Sequence, residues 1–448
     1  MKSITFPGGI HPPYFKDISL AEPLRKAPLP DRVAIPLLQH IGAPNEPVVN
    51  KGDYVEDGQL IGKSDSFISS PVHSSISGAV KTIEKYFHPT LGPTLSVIID
   101  RDKTKEEKSY REKDISDLSP EQMVEKVELA GLAGMGGAAF PTHVKLSVPK
   151  DKKIRTVIIN GAECEPYLTC DHALMTRKTQ EILKGIEIMI NILEPERTYL
   201  AIEDNKKASI FAFEKLIKQT RNQVLSRLRI ISLKTKYPQG GEKQLIKAIS
   251  GKEVPPGKLP LDIGFLVQNV GTVYAMYEAV YMDKPLIERV VTVSGDCLSR
   301  PGNYLIKIGT TIKDIVERYG VELYRSPKKI IVGGPMTGFA QPGTDAPVIK
   351  GTSGILFLSE HLAKDYEERQ CIRCAKCVDV CPVNLLPTSI MKNVDKQMWD
   401  QLEEFHVDDC MECGACSFIC PSRIPLVHYI KSGKEALRKI REEKKDKK

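Results

Sequence analysis

Apolar positions change their rhythm along this chain. Between residues 34 and 83 they come singly or in pairs, separated by turn residues. Val49, Val55 and Ile61 are spaced by Gly52-Asp53 and Gly58-Gln59, and Ser77-Gly78 stands between Val72 and Val80. Apolar positions cut this often by glycine and aspartate predict short β-strands joined by tight turns. Beyond a charged stretch at 101–113, continuous apolar runs take over: TVIIN at 156–160, TYLAI at 198–202 and LRIIS at 228–232. Segments of helical spacing separate these runs, the pattern of a parallel sheet covered by helices. VVTVS at 290–294, a helical segment at 312–319 and KIIV at 329–332 predict a further small mixed domain. From about residue 360 the spacing is helical. The opening FPGGIHPP at 6–13 holds too many prolines and glycines for helix or central strand. It reads as an extended arm lying on another domain.

Length and composition fit this picture. A chain of 448 residues corresponds to about three domains at ~150 residues each. Its 41% hydrophobic and 27% charged residues suit ordinary buried cores. The longest apolar stretch, GIEIMINIL at 185–193, is broken by polar residues and falls far short of a membrane span. No basic region followed by an apolar run opens the sequence, so a secretory leader is not expected. The net charge of +7 is concentrated at residues 431–448, which hold nine Lys/Arg and four Asp/Glu. The near-neutral remainder argues against a nucleic-acid surface. The basic tail suits anionic lipid or an acidic partner, and equally a solvated helix end. Leu426, Ile430, Leu437 and Ile440 recur there at helical spacing, as on a docking face.

The order V-x-x-G-D-x-V-x-x-G-Q-x-I at 49–61, followed by S-G-x-V at 77–80, resembles a biotinyl/lipoyl-type barrel–sandwich. Carrier domains of that type have a modifiable lysine on the hairpin between their halves. The corresponding SDSFISSP at 64–71 has no lysine at its tip, which favours a structural or docking role. The 290–332 pattern resembles a β-grasp domain.

The chemistry is concentrated in the cysteines. Of eleven, eight form one pattern written twice: CIRCAKCVDVCP at 371–382 and CMECGACSFICP at 410–421. The spacing C-x2-C-x2-C-x3-C-P is that of bacterial ferredoxins with two [4Fe–4S] clusters. Three thiolates on a tight loop hold three corners of a cubane. Cys-Pro then turns the chain away, so the fourth ligand comes from the other run. Cys371, Cys374, Cys377 and Cys420 are thus expected around one cluster, and Cys410, Cys413, Cys416 and Cys381 around the other. Structural zinc uses four ligands in two pairs rather than two such runs. Reduced, oxygen-sensitive clusters point to the cytoplasm. Cys164, Cys170 and Cys297 read as buried or loop thiols, and His40, His73 and His428 stand singly, without metal-ligand partners.

Four glycine-bearing segments in the central region combine turns with polar residues: GLAGMGGAAFP at 131–141, NGAECEP at 160–166, YPQGGEK at 237–243 and QNVGT at 268–272. The first follows a helical segment rather than a strand, unlike the ordinary dinucleotide fingerprint. The second leaves a strand end, where α/β crevices form. The fourth opens a helix whose amides suit a phosphate. Together these segments resemble the flavin-bearing, NADH-oxidising subunit of respiratory complex I. With the GGIHPP arm, the barrel and the cysteine runs, the chain is similar over nearly its whole length to the RnfC family, a component of the Rnf ion-translocating ferredoxin:NAD oxidoreductases.

That resemblance implies a multidomain α/β protein: an arm (1–30), a barrel–sandwich (31–100), a Rossmann-like FMN and NADH domain (114–285), a β-grasp domain (286–350), an α-rich two-cluster ferredoxin domain (360–430) and a basic tail (431–448). It implies FMN contacts at Gly134, Gly136, Gly137, Lys145, Asn160, Glu163, Tyr237, Gly240, Gly241, Glu242, Asn269 and Thr272. Glu165 belongs to the same strand-end segment, and Phe140 is a candidate to stack on nicotinamide or adenine. Lys243 stands where the complex I subunit has a second glutamate, which makes the nucleotide corner less certain than the flavin. FMN and two [4Fe–4S] clusters are the implied cofactors, with NAD(H) as substrate. The implied partners are the other subunits of a membrane complex, an iron–sulfur subunit among them, at the cytoplasmic face of the inner membrane. A soluble, cobalamin-reductase-like flavoprotein or a non-enzymatic electron-wire subunit would share these motifs.

Overall fold

The computed structural model describes residues 2–20, 23–220 and 222–446. Its central sheet is parallel throughout, in the order Leu228–Leu233, Arg197–Glu203, Thr156–Gly161, Phe265–Asn269. Helices cover it, among them Cys170–Arg177, Thr179–Leu193, Glu242–Ser250 and Val270–Met282. Strands buried from both sides have no solvent face to alternate with, so their sequences are continuous apolar runs. The strand first in sequence lies beside the last, which makes a topological switch point between them. Asn160 and Asn269 are register partners at the carboxyl ends of these two strands. Phe265–Asn269 was not among the expected strands; only its last two residues, Gln268 and Asn269, are expected from the sequence, as the opening of the helix that follows.

The barrel–sandwich closes two antiparallel sheets on each other. One holds Arg32–Pro36, Thr94–Arg101, Gly78–Tyr86 and Tyr54–Val55; the other holds Glu46–Pro47, Leu60–Lys63 and Val72–His73. Val55, Ile61, Val72 and Val80, the spaced apolar residues of the sequence pattern, are buried between them. The glycine of S-G-x-V is a packing necessity, since a Cβ on Gly78 would lie 2.0 Å from the Asp100 carbonyl oxygen. The hairpin at 64–71 ends in a clamp: buried Lys350 donates to Ser70 Oγ at 3.1 Å and to the Pro71 carbonyl at 2.6 Å.

A mixed six-stranded sheet forms the third unit, in the order Arg25–Lys26, Gly302–Lys307, Glu288–Gly295, Gly354–Leu358, Lys329–Val332, Phe339–Gln341. It reaches past residue 350 and takes an edge strand from the arm. The arm continues through the molecule. Ile4 bridges to Leu233 and Ile10 to Tyr237, while the Gly9 amide donates to the Val380 carbonyl at 2.8 Å.

The last unit is helical around the cysteine runs, with Pro387–Asp395 and Trp399–Glu404 between them and Leu426–Asp446 after them. The final helix corrects the docking-face reading of the tail. Leu426, Ile430 and Leu437 are buried against Ile390 and Leu402 of the same unit. A Cβ at Gly433 would lie 2.7 Å from Val394 Cγ2, so the helix sits down on its neighbours. Lys434 and Arg441 are also engaged within the unit, by Glu412 and by Glu403 and Asp408. Helical spacing identifies an apolar face but not what covers it. Among the described residues no helix is long and apolar enough to cross a membrane.

Candidate functional site

A cleft of about 670 Å³ opens at the switch point, with walls from the barrel, the central domain, the six-stranded sheet and the second cysteine run. Its floor is built from the strand ends outward. Asn160 donates to the Gly240 carbonyl at 2.8 Å, which holds the 237–241 turn against the sheet. Asn269 caps Val270–Met282, accepting from the Gly271 amide at 2.8 Å, and donates to Asp171 Oδ2 at 2.8 Å. The loop at 134–140 is closed by the Gly134 amide on the Phe140 carbonyl at 2.9 Å. It is pinned by the Met135 amide on Thr272 Oγ1 at 3.0 Å. Gly136 must be glycine here, because a Cβ would meet the Asn269 side chain at 2.7 Å.

Glu163 is a left-handed residue (φ +50°) at the end of its strand. Its carboxylate accepts from the Asp171 amide at 2.6 Å and the His172 amide at 3.3 Å. It thereby satisfies the first turn of Cys170–Arg177, where Thr169 makes no side-chain cap. Glu165 reaches the third unit instead, accepting from the Met336 amide at 3.1 Å and from Thr337; burial raises its carboxyl. Asp171 is raised to about 7, first by burial and then by the Glu163 carboxylate. Burial likewise pushes the Cys164 thiol up to about 12.

Sequence reasoning missed Lys16. Its buried ammonium donates to the carbonyls of Glu163, Glu165 and Leu168 at 2.7, 3.0 and 2.7 Å. A single arm residue thus fixes the strand-end loop. A lysine within YFKDIS (14–19) carries no signal of this in the sequence.

Of the expected flavin residues, Gly136, Gly137, Asn160, Glu163, Glu165, Tyr237, Gly240, Gly241 and Asn269 line the cleft; Gly134, Phe140, Lys145, Glu242, Lys243 and Thr272 do not. Lys145 is held by Glu242 at 2.8 Å and the Val267 carbonyl at 2.6 Å. Lys243 has no hydrogen-bond or ion-pair partner among the described residues. Among the described residues no lysine or arginine lines the cleft. Anionic groups there meet neutral donors, such as the backbone amides opening Glu242–Ser250, whose N-cap Gly241 supplies no side-chain bond.

The cysteines gather in two places. Cys371, Cys374, Cys377 and Cys420 line a cavity of about 170 Å³. Burial raises the Cys377 thiol, with Cys420 and Cys371 adding to the effect. Cys410, Cys413 and Cys416 neighbour one another and Cys381. Burial, then these neighbours, push Cys413 and Cys416 up to about 12. Four sulfurs around a small cavity fit a cubane, which takes them as thiolates. The two sites differ in exposure. Cys374 and Ile372 face solvent, whereas Cys413 and Met411 line the flavin cleft, and Tyr237 Oη donates to the Cys413 carbonyl at 2.7 Å.

Similarity to known proteins follows the same division. Residues 4–104 match the RnfC barrel sandwich hybrid domain, 127–278 the Nuo51 FMN-binding domain, 290–340 the SLBB domain and 363–421 the 4Fe-4S dicluster domain. The RnfC-type component of the proton-translocating ferredoxin:NAD(+) oxidoreductase complex of Clostridium ljungdahlii is 44% identical, over 95% of this chain and 93% of its own length. The Na(+)-translocating counterpart of Acetobacterium woodii is 43% identical, over 98% of both chains. The chain belongs to the RnfC family. FMN and two [4Fe–4S] clusters are accordingly its cofactors. A family member from the ion-translocating oxidoreductase complex of Haemophilus influenzae is 42% identical over 98% of this chain and 67% of its own. In fold alone, a chain of an air-oxidized NAD+-reducing [NiFe]-hydrogenase superposes with a TM-score of 0.50. That match has 17% identity and covers 71% of this chain and 66% of that one.

Proposed function

We propose that this chain is the peripheral electron-transfer subunit of a membrane-bound, ion-translocating oxidoreductase. It exchanges hydride between NAD(H) and FMN in the cleft and single electrons, through its two cluster sites, with partner subunits at the cytoplasmic face of the cell membrane. The observation that carries this reading is the shared wall: Cys413 and Met411 line the same cleft as Gly136, Asn160 and Asn269. FMN supplies conversion between a two-electron hydride and single electrons, and the clusters accept those electrons one at a time.

The chain's own residues set this up. Asn160, Asn269 and the Lys16-bound loop hold the cleft floor rigid. Cys413 of the Cys410 set borders the cleft, and Ile372 and Cys374 bring the Cys371 set to the surface where a partner can approach. Ion translocation then belongs to the partners. The named relatives differ in coupling ion, proton in one and Na(+) in the other, so the ion does not follow from family membership.

The test is an anaerobic titration of reconstituted protein with NADH. Flavin absorbance should bleach and the cluster signals should follow. Protein with full flavin and both clusters that no concentration of NADH reduces would refute the proposal.

A further inference from the structure

The cleft extends beyond the stretch that matches the FMN-binding domain. Its walls there are barrel segments 38–41 and 88–91, together with residues 332–339 and 349–353 of the third unit. None of these residues lies within the stretch that matches the FMN-binding domain. We propose that the barrel–sandwich is a substrate-binding unit, and that its two loops hold the adenosine half of NAD(H). The inference rests on the hydride-exchange reading above.

Three observations carry it. The first is continuity. A nicotinamide must lie flat against the flavin to exchange hydride, at van der Waals distance. The other nucleotide has to extend along the cleft, which continues between the barrel loops and the third unit.

The second is preorganisation. Gln341 Nε2 donates to the Pro89 carbonyl at 2.9 Å, tying the third unit to one barrel loop. The Ile41 amide reaches the Ala139 carbonyl at 3.3 Å, tying the other loop to the glycine loop of the flavin domain. His88 Nδ1 accepts from the Thr90 and Leu91 amides at 3.2 and 3.1 Å, which sets the loop's shape. A wall bonded across three units is in place before ligand arrives, and its ordering cost is already met.

The third is chemistry. Ile41 and Leu91, 51% and 57% exposed, line this one cleft, as does Phe339, whose ring has Lys431 Nζ 5.5 Å from its centroid. Large apolar side chains left open on a concave surface fit a flat aromatic base. The hairpin at 64–71 has no carrier lysine and is clamped from the third unit by Lys350, so what the barrel offers the cleft is its loops at 38–41 and 88–91.

The test uses Ile41→Asp and Leu91→Asp, which change exposed side chains and leave the barrel core untouched. The apparent KM for NADH should rise roughly tenfold, with kcat, flavin content and iron content unchanged. Reduced nicotinamide mononucleotide, which lacks the adenosine half, should reduce wild type and variants equally well. ADP-ribose should bind the wild type in calorimetry and each variant roughly tenfold more weakly. Unchanged KM and ADP-ribose affinity would overturn the proposal, as would an equal loss with the mononucleotide, because the damage would then lie at the flavin end. A wild type that binds ADP-ribose but is not reduced by NADH would refute the hydride reading and leave the adenosine site standing.

Discussion

Replacing Gly136 by alanine tests how the cleft floor is built. The new Cβ would lie 2.7 Å from Asn269 Nδ2, 2.8 Å from its Cβ and 2.9 Å from its Cγ. Asn269 cannot swing aside freely, because Oδ1 caps the Gly271 amide and Nδ2 holds Asp171, each at 2.8 Å. If Asn269 yields, the cap costs about 1 kcal/mol and the bond to the Asp171 carboxyl about 1 kcal/mol or more. A loss of ~2 kcal/mol, placed on the state that binds flavin, is roughly a 30-fold rise in the Kd for FMN. Fluorescence titration of flavin-stripped protein reads this directly. The same substitution should be nearly silent in an Asn269→Gly background. Glycine is itself an acceptable N-cap, costing a few tenths of a kcal/mol, and it removes all three contacting atoms. An equal penalty in both backgrounds would refute the reasoning, since the added methyl would then be meeting something other than Asn269.

Asp171 gives a pH dependence. Its carboxyl is raised from 3.8 to about 7 by burial and Glu163, against the opposing pull of the Asn269 amide, Arg289 and Lys206. The fold therefore favours the neutral acid: its contribution is full below 3.8 and is lost as pH rises through about 7. Asp171→Asn should flatten the flavin-release temperature across about pH 4 to 7, and an unchanged slope would count against it. Cys381→Ser should lower iron from about eight to about four atoms per chain, with the surviving spectroscopic signal that of the Cys371 set; loss of that set instead would refute the crossed ligation. Leu437→Ala, at a site 3% exposed, should destabilise the cluster unit by ~2–5 kcal/mol, seen as earlier cluster loss in urea at both low and high salt. Loss of partner binding without loss of clusters would restore the tail to a docking role.

Repetition and unbroken runs were the legible features. The duplicated cysteine spacing implies a fourth ligand taken from the other run, and the outer cavity has Cys420 in its wall beside Cys371, Cys374 and Cys377. The apolar runs at 156, 198 and 228 are strands of one parallel sheet. Side-chain direction was less legible. Glu242 follows a cleft glycine and Lys145 lies shortly after the glycine loop, but they turn to each other and away from the cleft. A glycine motif reports close backbone approach and says nothing about the facing of its neighbours. Lys16 was invisible because its partners are carbonyls, which every sequence offers everywhere.

The arm also sets the order in which the chain can mature. Ile4 lies beside Leu233, Arg25 beside Tyr304, and Gly9 donates to Val380 next to Cys381. Residues that leave the ribosome first therefore wait for partners made from midway to late in synthesis, and such distant pairings form late. Until then Val380 and Cys381 lack the arm's cover, which leaves a period in which a cluster can be delivered before the arm closes over them. Chains stalled ahead of Val380 should be cut readily before Phe15 by limited proteolysis, and complete chains should resist. Equal resistance in both would mean that the arm settles without the cysteine loop.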